Sequence, residues 1–398
     1  MGDASQSRVE ETNVIPSYSV HLDAVRALAA LVVFLGHGTS LFLGTTIHEQ
    51  ANQALNPAYA AANSYMPDNY THLGHQAVIV FFVLSGYFVG GGVLRAVRRR
   101  QWSAKYYLLQ RLTRLWIVLI PALFLGALID TAGIYLFSNT GMTYANLWGV
   151  GLGSVFNVNR VWFALSSFIG NVFFLQQILV KSFGTNGSLW SISYEFWYYI
   201  MFPLLLAGFM PSSRMLRRVC SIAILIAILI FCGKDISIYF LIWIMGVLTY
   251  CLPIGITQAL VRWITPMMCL LFVAFNLYAV VFPYNIVASD FTTGLFFSVI
   301  LWLLLHFRQP AHKSLYRFVF TRLSAMSYTL YAVHYPIIIF FSAWLIPKLS
   351  DRHFSLYSVG YLLAAYAAAF SISYLFYRCF EANTERVRRI LSVRLGIS

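Results

Sequence analysis

Charge is what this chain has least of. Only 10% of its 398 residues are Asp, Glu, Lys or Arg, against ~25% in a typical soluble domain. With 60% hydrophobic residues, that scarcity excludes an ordinary soluble protein and places the chain among polytopic membrane proteins. The first residues are not expected to act as a signal peptide. Residues 1–20 are polar, with no basic start, apolar core and cleavage site, and read as a short cytoplasmic tail. The five cysteines (Cys220, Cys232, Cys251, Cys269 and Cys379) are scattered through apolar segments without a Cys-x-x-Cys. They read as packing residues rather than disulfides or metal ligands, and no metal is expected. Despite a net charge of +14, no basic run with interleaved aromatics forms a nucleic-acid module. No internal repeat of the inverted-repeat transporter kind is found.

What is present is a series of long apolar runs. Ten candidate spans centre on residues 22–43, 74–94, 106–129, 188–209, 218–233, 236–252, 263–282, 291–307, 323–346 and 355–380. With the amino terminus in the cytoplasm, 22 Lys and Arg residues fall inside. Five fall outside: Arg160, Lys181, Lys234, Lys348 and Arg352. That asymmetry favours both termini inside. Residues 161–183 are apolar enough to cross, but a crossing would place Arg214, Arg217 and Arg218 outside. They are expected to form a re-entrant or interfacial helix, with protein or a cavity covering its backbone. Long outer loops are expected at 44–72 and 130–160. The expected fold is therefore an all-α polytopic membrane protein with about ten transmembrane helices and one re-entrant or interfacial helix. A single transmembrane domain, 21–382, stands between the tail 1–20 and a basic cytoplasmic tail, 383–398.

Several ionisable residues sit within these runs, where they are costly and rare. Arg26 and His37 are eleven residues apart in the first span, which returns them to one helix face about three turns or ~16 Å apart. Asp23 precedes Arg26 by one turn and could pair with it. A neutral imidazole at His37 is a natural general base near neutral pH. Arg111 and Arg114 are i,i+3 neighbours at the start of the third span. They suit a bidentate grip on phosphate, whereas Arg95, Arg98, Arg99 and Arg100 read as anchors. Trp190, Ser191 and Glu195 open the fourth span. The Glu195 carboxylate could orient His37 or bind a sugar hydroxyl, and Trp190 offers a stacking face. Ser327, Tyr331 and His334 form a polar stripe at i, i+4 and i+7, with Pro336 expected to kink it. Small residues follow Phe81-Phe-Val-Leu-Ser-Gly86 and permit close helix packing. His72 and His75 read as solvated loop residues. Asp290, His306 and Glu381 lie near span ends and require no function.

Together these fragments resemble one family, the membrane-bound acyltransferases of acyltransferase family 3. The matching pieces are Leu22-Asp-x-x-Arg-Ala to His37, Phe81-Phe-Val-Leu-Ser-Gly-Tyr87, and Arg111-x-x-Arg114 before Pro121. Trp190-Ser-x-x-x-Glu195 and Ser327-Tyr-x-x-Tyr-x-x-His334-x-Pro336 complete the set. The resemblance implies about ten spans and acyl transfer, often of acetyl, to sugars of envelope polysaccharides. It implies a cytoplasmic acyl-coenzyme A donor, an essential Arg26 and His37, a donor-binding pair Arg111 and Arg114, and Glu195 as the carboxylate of the Trp-Ser motif. The acidic residue often found before the family's Phe-Phe is Ile79 or Val80 here. Many relatives carry an extracytoplasmic esterase-like domain after the last span, and none is expected in this chain.

The function expected on these grounds is an integral membrane O-acyltransferase of the cytoplasmic membrane, bacterial by family. It would transfer acyl, acetyl by default, from acyl-coenzyme A to a glycan hydroxyl. His37 and Glu195 would be catalytic, and Arg26, Arg111 and Arg114 would bind the donor. Asp23, Trp190, Ser191, Tyr331 and His334 would support the site or line the acceptor. The partners are acyl-coenzyme A as co-substrate, a carbohydrate acceptor and the lipid bilayer; no bound cofactor and no nucleic acid are expected. The rival is a proton-coupled transporter or flippase of a lipid-linked sugar that uses the same buried charges as a relay. A third class keeps the chemistry but acylates a lipid or secondary metabolite.

Overall fold

The computed structural model describes residues 17–42, 72–137, 165–210, 214–252, 255–281, 285–306, 315–345 and 356–397. The two expected outer loops lie outside these residues, except that His72 begins a helix and 130–137 continue one. Among the described residues there are helices and no β-strands, as backbone that must satisfy its own polar groups in lipid requires.

Helix α1 is Ser17–Phe42. Helix α2, His72–Ser85, runs into a π-turn, Gly86–Gly90, and α3, Gly91–Arg98. Helix α4 is Ala104–Phe137, α5 the short Leu165–Val172, and α6 Trp190–Phe209. Then come α7, Met215–Cys251, α8, Gln258–Val281, and α9, Ile286–Leu304. The last four are α10, Leu315–Ala325, α11, Ser327–Leu345, α12, Leu356–Cys379, and α13, Thr384–Arg394. Among the described residues, eight helices are long and apolar enough to cross a membrane. That number counts α7 once and leaves out α6.

Helix α7 is two arms. Gly233, at φ 79° and ψ −178°, adopts a conformation open essentially to glycine alone. The chain reverses there, because the Ser237 hydroxyl donates to Leu229 O at 3.0 Å; eight residues of straight helix would hold them ~12 Å apart. Contacts along α6 agree. Gly208 lies against Ile222 and Trp197 against Phe231, whereas Tyr194 meets Tyr239 and Phe202 meets Trp243. The arms therefore run antiparallel, as the separate runs 218–233 and 236–252 lead one to expect.

The second arm crosses the π-turn at backbone contact. A Cβ on Gly86 would lie 1.9 Å from Trp243 O, and one on Gly246 would lie 1.9 Å from Val83 O. Neither obstacle is a side chain that can swing away. Gly86→Ala or Gly246→Ala is expected to destabilise the bundle by ~1–3 kcal/mol or more, read as a lower melting temperature in detergent. Gly92→Ala, where nothing lies within 4 Å, is the control and should melt like the parent.

Residues 165–189 fold back on themselves. Apart from α5 only a 3-10 turn, Gly187–Leu189, is helical here, and between them the chain turns through Phe174 and Gln177, both at positive φ. On the way in, Val172 O accepts from Trp116 Nε1 at 2.8 Å. On the way out, Thr185 donates from N and Oγ1 to the buried Asp130 carboxylate at 2.7 and 2.6 Å. Trp116 and Asp130 are fourteen residues apart on α4, so the excursion is ~21 Å deep. The carboxylate also explains why α4 runs to Phe137 rather than stopping near 129: Asp130 is satisfied inside the bundle. Pro336 anchors the returning chain. It lies within α11 and, lacking N–H, frees Ala332 O, which accepts from Asn186 Nδ2 at 2.7 Å.

Candidate active site

Helix α11 is the most enclosed element, buried from Thr329 to Ile339, and α1 packs along it. This contact joins the two histidines of the polar stripes. His37 Nδ1 and His334 Nε2 are 2.8 Å apart, with ring planes differing by 6°. His334 Nδ1 lies 2.8 Å from Leu330 O and 2.9 Å from Tyr331 O. Carbonyls only accept, so Nδ1 of His334 carries the proton. In the neutral ring its Nε2 is then an acceptor. His37 must donate from Nδ1, and its own Nε2 is left with a lone pair. His334 is buried and His37 is part-exposed. The network thus turns the basic nitrogen of His37 away from its partner, with Tyr335 alongside at a ring distance of 4.4 Å.

Some three turns towards the start of α1, the charged residues gather. Arg26 sits 5.1 Å over the Phe88 ring and in the field of Arg114, Asp23, Glu195 and Glu381. Arg114 is exposed and in the field of Glu381 and Glu195. Arg111 lies 5.7 Å from both the Tyr107 and Tyr199 rings, and its buried Nε has no hydrogen-bond partner. Glu195 accepts from Ser85 Oγ at 3.0 Å and from the Tyr199 hydroxyl. Ser85 in turn accepts from Trp243 Nε1 at 3.1 Å, which places the π-turn at this site, a frequent location for such turns. Three arginines and two carboxylates from α1, α4, α6 and the turn after α12 thus converge without close ion pairs among the described residues.

The remaining expected site residues are distributed around this axis. Asp23 accepts from Ser324 at 3.1 Å and Thr321 at 3.5 Å, so it ties α1 to α10 rather than gripping Arg26. Ser191 and Tyr331 share a 2.7 Å hydrogen bond, and the Tyr331 hydroxyl donates to Ser188 O at 2.6 Å. Trp190 stacks on His75 at 5.7 Å. Glu195 bonds within the arginine cluster, and the side chain bonded to His37 is that of His334.

Three groups carry contacts that the sequence reading passed over. His75 is not a solvated loop residue. It lies buried in the first turn of α2, with Nε2 2.8 Å from Asp290. Asp290 also accepts from Gln76 Nε2 at 2.8 Å and from the Tyr239 hydroxyl; its fully buried carboxylate demands such donors. Glu381, although near a span end, accepts from Thr329 N at 3.0 Å and Oγ1 at 2.6 Å. An acidic residue beside an apolar run was the available signal in both cases. Among the described residues, no three His, Cys, Asp or Glu side chains are grouped to hold a metal ion.

A family model described as an acyltransferase domain, that of acyltransferase family 3, matches residues 20–378. No curated protein and no solved structure matches the chain.

Proposed function

This chain belongs to acyltransferase family 3, and from that premise we propose that it is an integral membrane O-acyltransferase. It takes an acyl group, acetyl by default, from cytoplasmic acyl-coenzyme A and transfers it to a sugar hydroxyl of an envelope or exported glycan. The observation that carries the reading is the His37–His334 pair, because it leaves His37 Nε2 unprotonated and fixed in direction. Arg111 and Arg114 take the donor's phosphates, and Arg26 lies beside the path to the thioester. Glu195, held by Ser85 and Tyr199, keeps the arginines converged. The ~16 Å between Arg26 and His37 separates the charged end of the donor from its reacting end.

In the chemical step His37 Nε2 takes the proton of the acceptor hydroxyl as its oxygen attacks the thioester carbonyl. The tetrahedral intermediate collapses, the C–S bond breaks, and the departing thiolate takes the proton from the imidazolium. His334 holds the tautomer. An acyl-His37 relay is a variant of the same site. Counting both arms of α7 and adding α6 brings the eight long apolar helices to ten crossings. Both termini then lie in the cytoplasm, and residues 165–189 form a re-entrant segment in the bacterial inner membrane.

The test is mass spectrometry of envelope glycans from cells with and without the protein, beside coenzyme A release by the purified protein. Loss of one ester class with the protein is expected. Unchanged glycan esters, with no binding or cleavage of acetyl-coenzyme A and transport of a sugar lipid across vesicles, would overturn it in favour of a transporter.

A further inference from the structure

Glu381 has no part in the chemistry above, yet it touches two pieces of the site. It opens a short 3-10 turn, Glu381–Asn383, between α12 and the basic helix α13. That turn and α13 pack on α4, the helix of Arg111 and Arg114. The Oε2 atom of Glu381 accepts from Thr329 N and Oγ1 in the first turn of α11, where backbone N–H groups lack helical partners and a negative charge is favoured. The same carboxylate lies in the field of both Arg26 and Arg114. Among the described residues neither guanidinium makes a hydrogen bond or a close ion pair. Among the described residues the carboxylate is thus bonded to Thr329 and joined to neither guanidinium.

Resting on the donor reading above, we propose that Glu381 is a built-in counter-ion of the donor cavity. Its charge offsets Arg26 and Arg114 before an anionic nucleotide arrives and opposes that nucleotide once bound. The opposition has a use. Donor and product carry the same phosphates, so an unopposed arginine cluster would retain coenzyme A as firmly as acyl-coenzyme A. Such uniform binding lowers KM without helping the chemical step and slows product release. Thr329 sets the balance by deciding how far the carboxylate stands from the guanidiniums.

Two substitutions in the full-length protein test this, with coenzyme A as the probe in a direct binding measurement. Glu381→Gln keeps an oxygen that accepts from Thr329 and removes only the charge. Coenzyme A should bind roughly three- to thirtyfold more tightly, and product inhibition should strengthen. Thr329→Val removes the hydroxyl donor and lets the carboxylate swing towards Arg114, so coenzyme A should bind several-fold more weakly. A structural role alone would move both variants the same way. Unchanged or weaker binding by a folded Glu381→Gln overturns the inference. Should that variant not accumulate, unchanged binding by Thr329→Val overturns it. If the parent binds coenzyme A and Arg114→Ala binds it at least about tenfold more weakly, such a failure concerns Glu381 alone. If the parent does not bind coenzyme A, the donor reading and this inference fall together.

Discussion

His37→Ala is expected to abolish acyl transfer while the protein still inserts and accumulates. His37 is part-exposed, and among the described residues its ring hydrogen-bonds one side chain, His334, so truncation leaves the helix packing of α1 largely in place. The loss falls on chemistry. A positioned general base contributes ~10²–10⁴-fold, which is about 3–5 kcal/mol of barrier. Product ester in cells, normalised to protein by immunoblot, is the measurement, with transfer by purified protein beside it. Near-normal ester in His37→Ala cells would sink the general-base scheme and the acyl-His relay together. His334→Ala should be milder, ~10²-fold, as expected for a reactive group left free to turn. His334→Gln separates positioning from proton transfer. Its amide oxygen still accepts from His37 Nδ1 but does not titrate near neutral pH. Recovery of much of the lost activity in His334→Gln assigns His334 to positioning. Equal loss in the Ala and Gln variants would assign it a proton-carrying role.

What the sequence made legible follows from periodicity. The spacing of Arg26 and His37, and of Tyr331 and His334, depends only on 3.6 residues per turn, and each pair is helical as expected. The bond between His37 and His334 spans 297 positions. No local pattern announces which helix α11 will face, so the stripe on α11 stood equally for packing and for lining a substrate. The same limit explains His75. Read alone at the edge of a span, it is a polar residue near water; Asp290, 215 positions away, changes its meaning. That residues 161–183 stay on one side is an expectation from the charges downstream of them, Arg214, Arg217 and Arg218. Their path was not legible, because it depends on Asp130, Trp116 and the carbonyl freed by Pro336. Glu195 was legible as a costly carboxylate. Its neighbours Ser85 and Tyr199 lie on two helices, and only the packed structure places it among the arginines.

The second large effect concerns that cluster. Arg114→Ala and Arg111→Ala are expected to weaken donor use by different routes. Arg114 is exposed and makes no hydrogen bond among the described residues. Its removal should leave folding intact and lose only the contact to phosphate. A hydrogen bond to a charged group is worth roughly 1.5–3 kcal/mol, so donor KM should rise about ten- to hundredfold. The turnover number should change little, because the contact is made in ground and transition states alike. Arg111 stands beside the Tyr107 and Tyr199 rings. Arg111→Ala should therefore raise KM and also lower the melting temperature, through lost cation–π contact and loosened Tyr199. Arg→Lys at either position should recover only part of the affinity, because an ammonium lacks the planar fork. Arg99, exposed at the end of α3, is the control, and Arg99→Ala should leave donor KM near that of the parent. If Arg99→Ala weakens the donor as much as Arg114→Ala, the effect is general surface potential and not a site. Unchanged donor KM in both the Arg111 and Arg114 variants would instead return the pair to cytoplasmic anchoring. Arg26 would then be left as the cation nearest the thioester, with the burden of holding the donor alone.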